Sequence, residues 1–124
     1  MSRIAIVVSE LLFQSRIAAA VARLGHEAAV ADSAATLAAA IAAGPALAII
    51  DLHDRNLDAL AAVRSASAAG VRVLAFGRHT EPGTLRAARD AGAGLVVPRS
   101  QLSQELPQLV ESMLSTGEPA AAAD

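Results

Sequence analysis

Residues 47–56, LAIIDLHDRN, run from an apolar segment straight into a carboxylate, Asp51, with His53 and Asp54 behind it. An acid at the end of an apolar run has two uses. It can serve as a nucleophile or a metal ligand, or it can accept loop N–H bonds and cap the turn that follows. The choice depends on which groups the chain brings beside it. Glu10 follows the first apolar run, RIAIVV (3–8), and Arg99 follows the last, AGLVVP (93–98). His53 and His79 follow the third and fourth runs and, with Asp51 or Asp54, are the candidate transition-metal set, although loop histidines are more often solvated. There is no cysteine, which excludes thiol catalysis, disulfides and thiolate metal sites. Ser15 has no nearby base, so hydrolysis is not supported. No glycine-rich loop follows the first run to cradle a nucleotide phosphate.

These side chains are positioned by a regular alternation. Five short apolar runs recur along the chain at 3–8, 27–31, 46–51, 71–76 and 93–98. The first, third, fourth and fifth are apolar on both alternations, as in a parallel sheet covered on both faces. The second, EAAVA, is weak and reads as an edge strand. Helical patterns fill the intervals. Residues 10–24 space Phe13, Ile17, Val21 and Leu24 along one face and stop at Gly25. Residues 34–43 follow Ser33 as N-cap and stop at Gly44. Residues 56–69 carry Leu57, Leu60 and Val63 and stop at Gly70, and residues 80–92 place Pro82 near the first turn. Pro107 would break a helix begun at Ser100, so the last helix is expected at 104–115 with Ser103 as its cap. The fold class is therefore α/β, a flavodoxin-like (βα)5 three-layer sandwich with a parallel sheet in the order 2-1-3-4-5. Its ligand crevice lies at the carboxyl ends of strands 1 and 3, where Asp51 sits. The domain is expected over 1–115, with 116–124 as a disordered tail.

Composition narrows the function classes. The chain has 124 residues and a formal net charge of -2, so neither nucleic acid nor an anionic membrane is an expected partner. No apolar run has the length of a membrane span, and no signal peptide is recognisable, so a soluble cytoplasmic protein is expected. Every basic residue other than histidine is an arginine.

With the runs RIAIVVSE (3–10), LAIIDL (47–52) and ARDAGAGLVV (88–97), the chain resembles the receiver domain of bacterial two-component response regulators over 3–115. The resemblance implies a phosphoacceptor aspartate at Asp51. It also implies an acid pair after the first strand to hold Mg²⁺, a Thr or Ser after the fourth and a Lys after the fifth. Here the acid-pair positions fall on Val8 and Ser9, with Glu10 one step beyond. The hydroxyl position is Gly77. The lysine position is Pro98, with Arg99 one step off. Valine cannot ligate a hard cation, and an arginine fork does not freely replace an ammonium. The resemblance is thus to a degenerate form, a pseudo-receiver.

The expected function is a stand-alone, phosphorylation-independent protein-interaction module in signal transduction. No enzymatic activity, no metal and no cofactor are expected. Its partner would be another signalling protein, or a second copy meeting it through helix 4, strand 5 and helix 5. Two alternatives remain. One is an active phosphoacceptor using Asp51, Glu10 and Arg99. The other is a small-ligand binding domain with His53 and His79 among its contacts.

Overall fold

The computed structural model describes residues 2–115. The expected tail at 116–124 lies outside the described residues. Five strands form one parallel sheet: β1 (Arg3–Val7), β2 (Glu27–Val30), β3 (Leu47–Asp51), β4 (Arg72–Gly77) and β5 (Leu95–Pro98). Their order is β2-β1-β3-β4-β5. The register pairs Ile6 of β1 with Ile49 of β3, Asp51 with Phe76 of β4, and Gly77 with Pro98 of β5. The weak, half-exposed β2 takes the edge, where it needs no second apolar face.

Alternation along the strands splits the core into two layers. Ile4, Ile6, Val8, Leu47, Ile49, Leu74, Phe76 and Val97 point to one face. There they meet Phe13, Ile17 and Val21 of α1 (Leu11–Arg23) and Leu102, Leu106 and Val110 of α5 (Arg99–Ser115). Ala5, Val7, Ala48, Ile50, Val73, Ala75 and Val96 point to the other. They are covered by α2 (Ala34–Ala42), α3 (Ala59–Ala68) and α4 (Pro82–Asp90), chiefly through Leu37, Val63 and alanines. Small side chains let these three helices lie close to the sheet, but alanine does not fill the space between helices. A groove of about 470 Å³ between α2 and α3 is the result.

The helix ends follow local chemistry. Ser33 caps α2 through a reciprocal box with Thr36. At the end of α4, Gly92 takes φ 115°, and a Cβ there would collide with Ser67. Two expectations need correction. The helix expected from 56 begins at Ala59, because the Asp54 carboxylate accepts the Asn56 and Leu57 N–H groups and keeps that segment a turn. Asp58 then caps the helix on the Ala61 N–H. The last helix begins at Arg99, directly after β5, not at 104. Its backbone breaks at Glu105 (φ -121°), so Pro107 falls in the first turn after the break, where its missing N–H costs little.

The apolar strand residues Ile4, Ile6, Val7, Leu47, Ile49, Ile50, Val73, Leu74, Val96 and Val97 are all buried, and Ile49 is 0 % exposed at the centre of the sheet. Ile49→Ala is expected to cost about 2–5 kcal/mol in urea unfolding. A loss below about 0.5 kcal/mol would contradict the central placement of β3.

Candidate functional site

β3 delivers Asp51 to the carboxyl edge of the sheet, and it is the one buried charged residue among those described, 6 % exposed. The chain turns at once: the His53 N–H donates to Asp51 Oδ1 at 2.8 Å, and the Asp54 N–H donates to the Asp51 carbonyl at 3.1 Å. Asp51 Oδ2 has no hydrogen bond among the described residues, and Asp51 lines a cleft of about 280 Å³. Burial raises the Asp51 carboxyl above its ordinary value of 3.8. The His53 N–H bond and the charges of His53 and Arg99 pull it the other way, and Asp54 adds to the rise.

Ser9 and Glu10 line this cleft from the β1 side, and Arg99 from the β5 side. Arg99 Nη2 donates to Glu10 Oε1 at 2.7 Å, and its guanidinium lies 4.1 Å from the Phe13 ring centroid. Phe13 is itself set edge-on against Phe76, with centroids 5.5 Å apart. A core aromatic pair thus fixes the plane on which Arg99 rests. The remaining positions go elsewhere. Val8 turns into the α1–α5 core. The Ser9 hydroxyl accepts the Arg55 N–H at 3.0 Å and ties the loop after β1 to the loop after β3. Pro98 pairs with Gly77 at the strand ends and offers no N–H. At Gly77 a Cβ would stand 3.3 Å from His53 Nε2 and 3.3 Å from Leu85 Cδ2. The His53 imidazole occupies the space that a side chain at 77 would need.

Sequence reasoning missed Arg55 and Arg78, which line the same cleft. The Arg78 N–H donates to His53 Nε2 at 3.3 Å. Its guanidinium lies 3.4 Å from His53 Nδ1 and pairs with Glu81 at 3.0 Å, holding the Glu81 carboxyl below its usual range. A signal was available: Arg55, Arg78 and Arg99 each follow the carboxyl end of a strand within four residues. His79 is exposed and is not part of the cleft.

The donor set does not fit Mg²⁺, which demands octahedral oxygen ligands. Val8 offers none, the Ser9 hydroxyl is engaged, and Glu10 is neutralised by Arg99. No group of three His, Asp or Glu residues placed to hold a metal occurs among the described residues. What converges instead is one buried carboxylate, one ion-paired carboxylate and three arginines.

Two measurements check this geometry. Gly77→Thr is expected to cost about 1–3 kcal/mol by crowding His53 and Leu85; an unchanged unfolding midpoint would contradict the packing. The second concerns Asp51. An acid raised in the folded state binds protons more readily there than in the unfolded chain. Wild-type stability therefore falls as pH rises from 3.8 through the folded-state value, and the loss is complete above it. Asp51→Asn keeps an oxygen for the His53 N–H and removes the charge. It should be more stable than wild type at neutral pH, with the advantage vanishing below 3.8. A variant less stable at neutral pH would show that the charge is compensated.

The sequence matches no family model and no curated protein. Solved structures do match in fold. NtrX from Brucella abortus, in complex with ADP, superposes with a TM-score of 0.82 at 24% identity, covering 93% of this chain and 27% of that one. The chain thus spans about a quarter of that protein. The isolated receiver domain of NtrX superposes with a TM-score of 0.80 at 24% identity, covering 91% of this chain and 98% of that domain. A LuxR-family two-component response regulator from Aurantimonas sp. SI85-9A1 gives 0.78 at 22% identity, covering 93% and 86%. Strand order, helix placement and the position of Asp51 at the carboxyl end of β3 agree with the expected architecture: the chain has the receiver fold of two-component response regulators.

Proposed function

We propose that this receiver-fold domain works in two-component signal transduction as a protein-interaction module that does not depend on phosphorylation of Asp51. The observation that carries the reading is the pairing of Glu10 with Arg99 at 2.7 Å, which engages the one other carboxylate lining the Asp51 cleft. Transfer of a phosphoryl group to a carboxylate needs the charge on the transferring oxygens to be neutralised and the donor held in line. A divalent cation is the usual device, and no group of three His, Asp or Glu residues placed to hold one occurs among the described residues. The interaction surface in this reading is α4, β5 and α5, with α4 presenting Arg86, Arg89 and Asp90 and α5 presenting Gln108 and Glu111 to solvent. The partner is another signalling protein or a second copy of this chain.

A second reading is a working phosphoacceptor. It is favoured by the placement of Asp51, Glu10 and Arg99 in one cleft. It requires a cation to displace Arg99 from Glu10.

One experiment separates the two. After incubation with acetyl phosphate and Mg²⁺, the intact mass should be unchanged. Losing one electrostatic stabiliser typically costs a few kcal/mol in the transition state, and several are missing together. A phosphoryl mass that appears in the wild type and is absent in Asp51→Asn would overturn the proposal.

A further inference from the structure

The carboxyl-end cleft has the electrostatics of an anion site rather than a cation site. Arg55, Arg78 and Arg99 line it, against the carboxylates of Asp51 and Glu10. Glu10 engages one nitrogen of Arg99, and Glu81 engages one of Arg78. A guanidinium carries five N–H donors, so each keeps donors to spend on a ligand. The Arg55 side chain has no ion pair among the described residues. Guanidinium groups match tetrahedral oxyanions in geometry as well as charge.

Asp51 supplies the selectivity. Its Oδ1 is taken by the His53 N–H, Oδ2 has no hydrogen bond among the described residues, and the residue lines the cleft. A bare carboxylate oxygen repels a fully deprotonated anion and welcomes one that carries an O–H. Inorganic phosphate keeps at least one such proton at neutral pH. Sulfate keeps none, and a phosphate monoester, with a second pKa near about 6, mostly keeps none.

We propose that this cleft is a metal-independent site for free inorganic phosphate, held by Arg55, Arg78 and Arg99, with Asp51 Oδ2 accepting the phosphate O–H. The ligand stays non-covalent, so the proposal rests on the reading that Asp51 is not phosphorylated. A receiver fold of this kind would sense phosphate by occupancy instead of by a covalent bond.

The test is calorimetric titration of the purified chain with inorganic phosphate, sulfate and O-phosphoserine, each with and without EDTA. Phosphate is expected to bind in the presence of EDTA, and more tightly than the other two. Arg55→Gln and Arg78→Gln replace exposed side chains, so the fold should be retained, and each should weaken phosphate about tenfold. Arg64→Gln, on exposed α3 surface, should leave affinity unchanged. Asp51→Asn should shrink the preference for phosphate over sulfate, because an amide can donate to either ion. The proposal is overturned if phosphate gives no binding heat, if EDTA abolishes binding, if sulfate or O-phosphoserine binds as tightly, or if both arginine variants bind like wild type. Absence of phosphate binding with an unchanged mass after acetyl phosphate would sink this proposal and leave the interaction-module reading standing. A covalent mass increase would sink that reading by itself.

Discussion

The hydrogen bond from the His53 N–H to Asp51 Oδ1 is the contact around which the carboxyl-end face is organised. β3 is buried on both faces, so its last residue cannot be withdrawn from the low-dielectric interior. The carboxylate must be satisfied locally, and the chain satisfies it by turning back within two residues. That turn sets the imidazole of His53 against Gly77 and Arg78 and leaves Oδ2 without a hydrogen bond among the described residues. The identity of residue 77 follows from the same turn, since the ring takes the volume a larger side chain would fill.

A second constraint links the core to the cleft. The Phe13–Phe76 pair gives Arg99 an aromatic face to rest on, and Glu10 completes its fixing. The exposed Arg99–Glu10 pair adds little stability by itself. Its consequence is chemical, because it occupies the other carboxylate that lines the Asp51 cleft. Arginines stand around the cleft where divalent-cation chemistry would need oxygen ligands.

Much of this was legible in the sequence, for physical reasons. Strands buried on both faces have to be apolar at every position, which made β1, β3, β4 and β5 visible and marked β2 as the edge. Left-handed glycines at 25, 44, 70 and 92 ended helices where expected. Asp51, Glu10 and Arg99, each read from the sequence as lying at or just past a strand end, line one cleft. The start of α5 was not legible, because Pro107 signals a break but cannot say that a separate helical turn precedes it. Arg55 and Arg78 were missed because they come from different loops, and spacing along one segment carries no information about which loops converge. The Asp54 turn that delays α3 was hidden for a related reason: an aspartate near a helix start reads equally as a cap or as part of a loop.

A phosphorylation-independent role for this domain requires that the Asp51 cleft hold no divalent cation. The direct measurement is a Mg²⁺ titration followed through the backbone amide signals of Ser9, Asp51, His53 and Arg99. No saturable shift is expected at these amides at millimolar Mg²⁺, beyond the small uniform drift of ionic strength. A saturable shift confined to these four residues and lost in Asp51→Asn would contradict it.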